Sequence, residues 1–340
     1  MNSIIEQAHK MVDAGHVSGL ALAIYENGTW TETIYGHTTF GGPTLEATHQ
    51  FDIASITKLF TTTRILQLCD QGVLSLDAPI QKYIKAFKQP NITIAQCLLH
   101  RSGMAPSVTG RAEMDRQQIY NSVMNCVDFI NTPNQIMVYS CINYLILGYL
   151  IEAVDTNLEQ SLHNSIFKPL NMTNSMFNPK NMLLCVPTEK TKKYGLIQGI
   201  VHDETARNCG GIAGNAGIFS TLHDLKRFME AMLTSDSRLL TSEYHQLIRE
   251  TDIELRSYGW NRYVHHDMNA CYHTGFTGPM VIFHNDRAMI LLAHRVHPSR
   301  EDHGYLKQRE ALIQSFLHKK KNSLKVLFLF LYQFLQGLNS

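Results

Sequence analysis

Ser55 and Lys58 form a Ser-x-x-Lys pair within Phe51-Asp52-Ile53-Ala54-Ser55-Ile56-Thr57-Lys58. A serine hydroxyl is a weak nucleophile until a base takes its proton. Lysine can be that base if its pKa falls, which burial and a nearby positive helix end both favour. The residues that follow, Leu59 to Gln71, hold no Pro or Gly and predict a buried helix ending near Gly72. If Ser55 opens that helix, Lys58 stands one turn on, about 4.5 Å along the axis and on the same side. The helix start also offers free N–H groups to a developing oxyanion. Alone, such a serine is more often a simple N-cap, so the chemistry depends on partners further along.

Two later stretches could supply them. Tyr139, in Val138-Tyr139-Ser140-Cys141-Ile142-Asn143-Tyr144, precedes a predicted helix. A phenol there can shuttle a proton where positive charge lies close, although a lone tyrosine is usually a core residue with a bonded hydroxyl. His273-Thr274-Gly275-Phe276-Thr277-Gly278 ends a predicted strand. Its glycine lets a substrate lie along the strand edge, and the Phe276 N–H can face an oxyanion.

Composition narrows the class. The chain has 340 residues, is 44% hydrophobic and carries a net charge of +1. That leaves no electrostatic footprint for nucleic acid. Seven cysteines at irregular spacing, without CxxC, read as reduced thiols. The 17 histidines form neither HExxH nor a tight cluster, so neither a metal nor another cofactor is expected. Met1 to Gly15 is interrupted by Glu6, His9, Lys10 and Asp13. It reads as an amphipathic helix rather than a secretory leader, which points to the cytoplasm.

The elements that must position these residues follow from periodicity. Strands are expected at Ser18–Tyr25 and Thr29–Tyr35, around an Asn27-Gly28 turn, and again at Tyr258–Tyr263, Ala270–His273, Met280–His284 and Ala288–Val296. Between them Ile94–His100, Gln117–Ile130, Asn143–Val154, Leu158–Ile166 and Leu222–Leu233 read as helices, and Glu301–His318 as a closing helix. Strands at both ends with helices between imply an α+β fold: an antiparallel sheet flanked by the terminal helices, with a mainly helical domain inserted. The expected division is 1–75 with 240–318 as the sheet domain, 76–239 as the helical domain, and 319–340 as a basic, then apolar tail. The apolar run Leu324–Leu335 behind Lys319-Lys320-Lys321 is too short to span a bilayer unaided. It suits peripheral membrane contact or self-association.

Taken together and in order, these motifs resemble those of the serine β-lactamase-related hydrolases: class C β-lactamases, D-alanyl-D-alanine carboxypeptidases of the same penicillin-binding-protein-like fold, and esterase relatives. The likeness extends to Gly72-Val73-Leu74-Ser75-Leu76-Asp77-Ala78-Pro79, to Ile92-Thr93-Ile94 through Leu98-Leu99-His100-Arg101-Ser102-Gly103-Met104, to Val201-His202-Asp203 with Gly210 through Thr221, and to Arg295-Val296-His297-Pro298. The resemblance implies that Ser55 is the acyl-accepting nucleophile. Lys58 takes its proton, alone or with Tyr139, and Tyr139 passes a proton to the leaving group. The Ser55 and Phe276 N–H groups would form the oxyanion hole. His273 and Thr274, with Gly275, Cys141 and Asn143, would contact substrate. A cationic His273 would make binding pH-sensitive.

Cys141 departs from the family's Tyr-x-Asn, replacing an amide by a weakly hydrogen-bonding thiol, and Asn215 stands where the family often has His. The reading is a serine hydrolase acting through an acyl-enzyme on an ester or a small amide such as a D-amino-acid peptide. Esterase or amidase ranks first, carboxypeptidase second and β-lactamase third. The alternative is a catalytically weak penicillin-binding-like protein that binds a cell-wall peptide or a protein partner.

Overall fold

The computed structural model describes residues 2–125, 129–265, 268–301 and 303–318. The apolar tail, Cys126 and the Lys319–Lys321 run lie outside these. Of the described residues, 38% are helical and 19% strand.

Helix α1 (Asn2–Asp13) leads into strands β1 (Gly19–Glu26) and β2 (Thr29–Gly36). Helix α2 (Thr57–Asp70) follows the Ser55 turn, and α3 (Cys141–Val154) follows Tyr139. Helix α4 (Leu222–Thr234) then precedes strands β3 (Asn261–His265), β4 (Met268–Thr274), β5 (Met280–His284) and β6 (Arg287–Ala293), and α5 (Tyr305–His318) closes the described chain. The six strands form one antiparallel sheet in the order β2-β1-β6-β5-β4-β3. The first hairpin thus pairs with the last, Leu22 lying opposite Leu291.

Alternation along the strands explains the layers. In β1, Leu20, Leu22 and Ile24 pack with Ile4, Ala8 and Met11 of α1 and with Leu312, Ile313 and Phe316 of α5. The intervening Ala21 and Ala23 join the larger core on the other face, with Leu225, Phe228 and Met232 of α4. Strands β5 and β6 divide in the same way: Met280, Ile282, Met289 and Leu291 go to one side, and Val281, Phe283, Ile290 and Leu292 to the other. A side-chain period of two sends neighbours to opposite faces, and here both faces are covered, so the central strands are apolar throughout.

Helix α2 is buried on nearly every side, although it carries Lys58, four threonines and Arg64 among its buried residues. Its buried hydroxyls are satisfied: Thr61 donates to the Gly214 carbonyl at 2.8 Å, and Thr62 meets the Tyr144 hydroxyl at 3.0 Å. The expected helix from Gln117 instead runs Arg116–Asn125, with Phe129 bridged to Met104. Leu158–Ile166 splits into an α turn, Leu158–Leu162, and a π turn, His163–Phe167. Ser242–Glu250 is a further helix, whose short amphipathic pattern the periodicity did not single out.

Candidate active site

The nucleophile turn is built on a strained residue. Ala54 holds φ +46°, a left-handed conformation that costs a non-glycine residue. Asp52 secures it. Its Oδ1 accepts the Ala54 N–H at 2.9 Å, and its Oδ2 accepts the His202 N–H at 2.7 Å. Ser55 therefore sits inside a 3-10 turn, Ala54–Ile56, and α2 begins at Thr57 rather than at the serine as expected. Lys58 still lies across from it: Nζ donates to Ser55 Oγ at 3.0 Å and to the Asn215 carbonyl at 2.9 Å. The second contact needs Gly214, because a Cβ there would stand 2.1 Å from the Tyr144 carbonyl. Only glycine lets the 210–217 loop press against α3 and put Asn215 over the lysine.

Burial pulls the Lys58 pKa down, while its neighbours Cys141, Tyr139 and Asp203 push it up, with a net rise.

Tyr139 is partly exposed, with its ring 5.1 Å from Lys58 Nζ. Cys141, the first residue of α3, is a half-buried free thiol. Asn143 does not reach the cleft. It is wholly buried, accepting from Ser102 Oγ at 2.6 Å and facing His100 Nδ1 at 3.2 Å. Two residues along a helix turn a side chain by about 200°, away from the face that Cys141 presents.

The third stretch comes in along β4, whose Thr274 ends the strand. A Cβ on Gly275 would meet the Ile53 carbonyl at 2.7 Å, so glycine brings this strand end against the Ser55 turn. Phe276 is half-exposed. Its ring lies between His202 (5.7 Å) and the Arg295 guanidinium (4.7 Å), and its carbonyl accepts from Arg295 Nε at 3.0 Å. Ser55, Tyr139, His273, Thr274, Gly275 and Phe276 line one cleft of about 340 Å³, together with Asn261, Arg295, Leu306 and Arg309.

His273 is almost completely buried, and its Nδ1 faces the Thr274 carbonyl at 3.0 Å. Burial, and then the Arg256 and Lys58 charges, push its pKa well below the imidazole range. The buried cation behind it is Arg256, which bonds Asn261 and stands 5.4 Å from the Tyr139 ring. Sequence reasoning missed Arg256, since an arginine beside Ser257 and Tyr258 reads as a solvated loop residue. It also passed over Asp52, although a carboxylate between Phe51 and Ile53 is a detectable signal of a buried charge with a task. No group of His, Cys, Asp and Glu among the described residues could hold a metal ion.

The chain is similar to proteins of known sequence and structure. A protein of Escherichia coli O157:H7, provisionally named D-alanyl-D-alanine carboxypeptidase, is 28% identical over 301 residues, covering 73% of this chain and 69% of the relative. The D-amino acid amidase of Ochrobactrum anthropi SV3, solved with L-phenylalanine amide, superposes with a TM-score of 0.76 at 18% identity, covering 95% of this chain and 99% of that one. EstCE1, described as a hydrolase with promiscuous acyltransferase activity, gives 0.75 at 16% identity, covering 92% and 97%. Both solved structures establish likeness of fold. The family model described as Beta-lactamase matches residues 2–312, and the chain belongs to that family, with its serine-hydrolase fold.

Proposed function

We propose that the protein hydrolyses an ester or a small amide, such as a D-amino-acid peptide, through an acyl-enzyme on Ser55. The observation that carries this is the 3.0 Å contact of Lys58 Nζ with Ser55 Oγ on the wall of a cleft that Tyr139 also lines. Ser55 Oγ attacks the substrate carbonyl carbon. Lys58 takes the Ser55 proton, alone or with Tyr139, and Tyr139 passes a proton to the leaving group as the carbonyl–leaving-group bond breaks. The Ser55 and Phe276 N–H groups receive the oxyanion. Water then attacks the acyl carbon, releasing the acid and restoring Ser55.

Ester or amide hydrolysis ranks first, carboxypeptidase action second and β-lactam hydrolysis third. Cys141 supports that order, because a thiol is a poorer partner for a peptide carbonyl than the amide it replaces, and an ester asks less of the site. The relatives named as amidase, carboxypeptidase and acyl-transferring hydrolase support the reaction class. Cys141 also motivates a second reading, a weak enzyme that retains a peptide ligand.

Intact mass after mixing with a short-chain nitrophenyl ester tests the reading. We expect a nitrophenol burst and one acyl adduct on the wild type, and neither on Ser55→Ala. An adduct that survives Ser55→Ala would move the nucleophile to Cys141. No adduct and no turnover would favour the binding reading.

A further inference from the structure

We propose that His100 positions Tyr139 for proton transfer, an inference that rests on the acyl-transfer reading above. His100 ends the short helix Ile94–Leu98 in a left-handed turn, φ +56°. From there it holds the residues on both sides of Tyr139. Its carbonyl accepts the Val138 N–H at 3.0 Å, and its ring Nδ1 accepts the Ser140 N–H at 3.0 Å. The ring itself packs on the Tyr139 ring, with centroids 4.6 Å apart. One residue therefore fixes the backbone before the tyrosine, the backbone after it and one face of its ring.

The imidazole is in turn fixed. Asn143 Nδ2 meets Nδ1 at 3.2 Å, and Asn143 Oδ1 accepts from Ser102 Oγ at 2.6 Å. A ring nitrogen that accepts from a backbone N–H carries no proton, so in the neutral ring the hydrogen is on Nε2. Burial, and then the charges of Arg256 and Lys58, hold the imidazole pKa well below its ordinary value. His100 is therefore a permanent acceptor. Neither an apolar ring nor a basic side chain could do this. Asparagine could, since its Oδ1 occupies the place of Nδ1 and its backbone tolerates a left-handed turn.

The test compares wild type with His100→Asn, His100→Phe and His100→Gly on a nitrophenyl ester. Phe keeps the ring contact without the acceptor. Gly keeps the backbone turn without either, and stands in should the Phe variant not be recovered folded. We expect kcat to fall about 30- to 100-fold in Phe and Gly with KM within about threefold, because a misplacement of about 1 Å carries a cost of that order. His100→Asn should recover most of kcat, to within about fivefold of wild type. A kcat within about twofold of wild type in Phe or Gly would overturn the role. So would equal losses in Asn and Gly that follow their melting temperatures. Ser55→Ala, run beside them, separates the two readings. Ser55-dependent turnover unaffected by His100→Phe removes only the positioning role, whereas turnover that survives Ser55→Ala removes the acyl-transfer reading beneath it.

Discussion

Lys58 Nζ has two oxygens within 3.0 Å, Ser55 Oγ and the Asn215 carbonyl. In the proposed acylation Tyr139 carries a proton to the leaving group. Tyr139→Phe keeps the ring against His100 and removes only the hydroxyl. It should lower kcat by about 10²- to 10⁴-fold, the usual worth of a positioned acid–base group, while moving the melting temperature by only a few degrees. Steady-state kinetics beside a thermal melt checks this, and a kcat within about threefold of wild type would assign the proton to another group. The position of His273 was legible in the strand-end motif, but its lowered pKa was not, because burial, and then Arg256 and Lys58 far away in sequence, produce it.

The elements meet at a few places where no side chain fits. Gly214 abuts Gly148 and the Tyr144 carbonyl in α3, and the same loop carries the Asn215 oxygen to Lys58. Gly214→Ala must push loop and helix apart, at a cost of about 2 to 3 kcal/mol of stability. It should also lower kcat at temperatures where the protein remains folded. A denaturant titration and an activity assay at 20 °C measure the two effects, and an unchanged midpoint would show that the loop yields without strain. The sheet–helix alternation was legible, because each strand's apolar residues declare their own faces. The 3-10 turn at Ser55 was not, since Ala54 reads as an ordinary helix former and its left-handed backbone is imposed by Asp52 and the 201–203 loop.

Across the whole molecule, burial of neutral imidazoles ties stability to pH. His100 and His273 are both held well below the ordinary imidazole pKa by burial, with neighbouring cations adding to it. The unfolded chain then binds more protons than the folded one at any pH between the two values. Their contribution is complete above about pH 6.5 and is lost as pH falls below it, by up to about 3 kcal/mol per pH unit for the pair. Asp52 and Asp224, raised by burial, act in the opposite sense at lower pH, where the folded carboxyls take up protons first. The urea midpoint should therefore drop clearly between pH 7.5 and 5.5. A flat profile there would mean that neither imidazole is neutral in the folded state. Among the described residues no helix is long and apolar enough to cross a membrane.

The sequence by itself determined what depends on near neighbours. The Ser-x-x-Lys spacing puts the two groups one turn apart, alternation assigned the strand faces, and the strand-end glycine left room for a close approach. The order of motifs pointed to the family. Tertiary structure alone decided what depends on distant parts of the chain. Asp203, Cys141 and Tyr139 are brought together around Lys58, and the rotation of α3 turns Asn143 inward to His100. Arg256 is buried behind Tyr139, and His100 is anchored to both flanks of that tyrosine. The physical reason is common to all four. A residue's charge and partners are set by the groups within a few ångströms of it, and in a packed core those groups come from segments that no local pattern brings together.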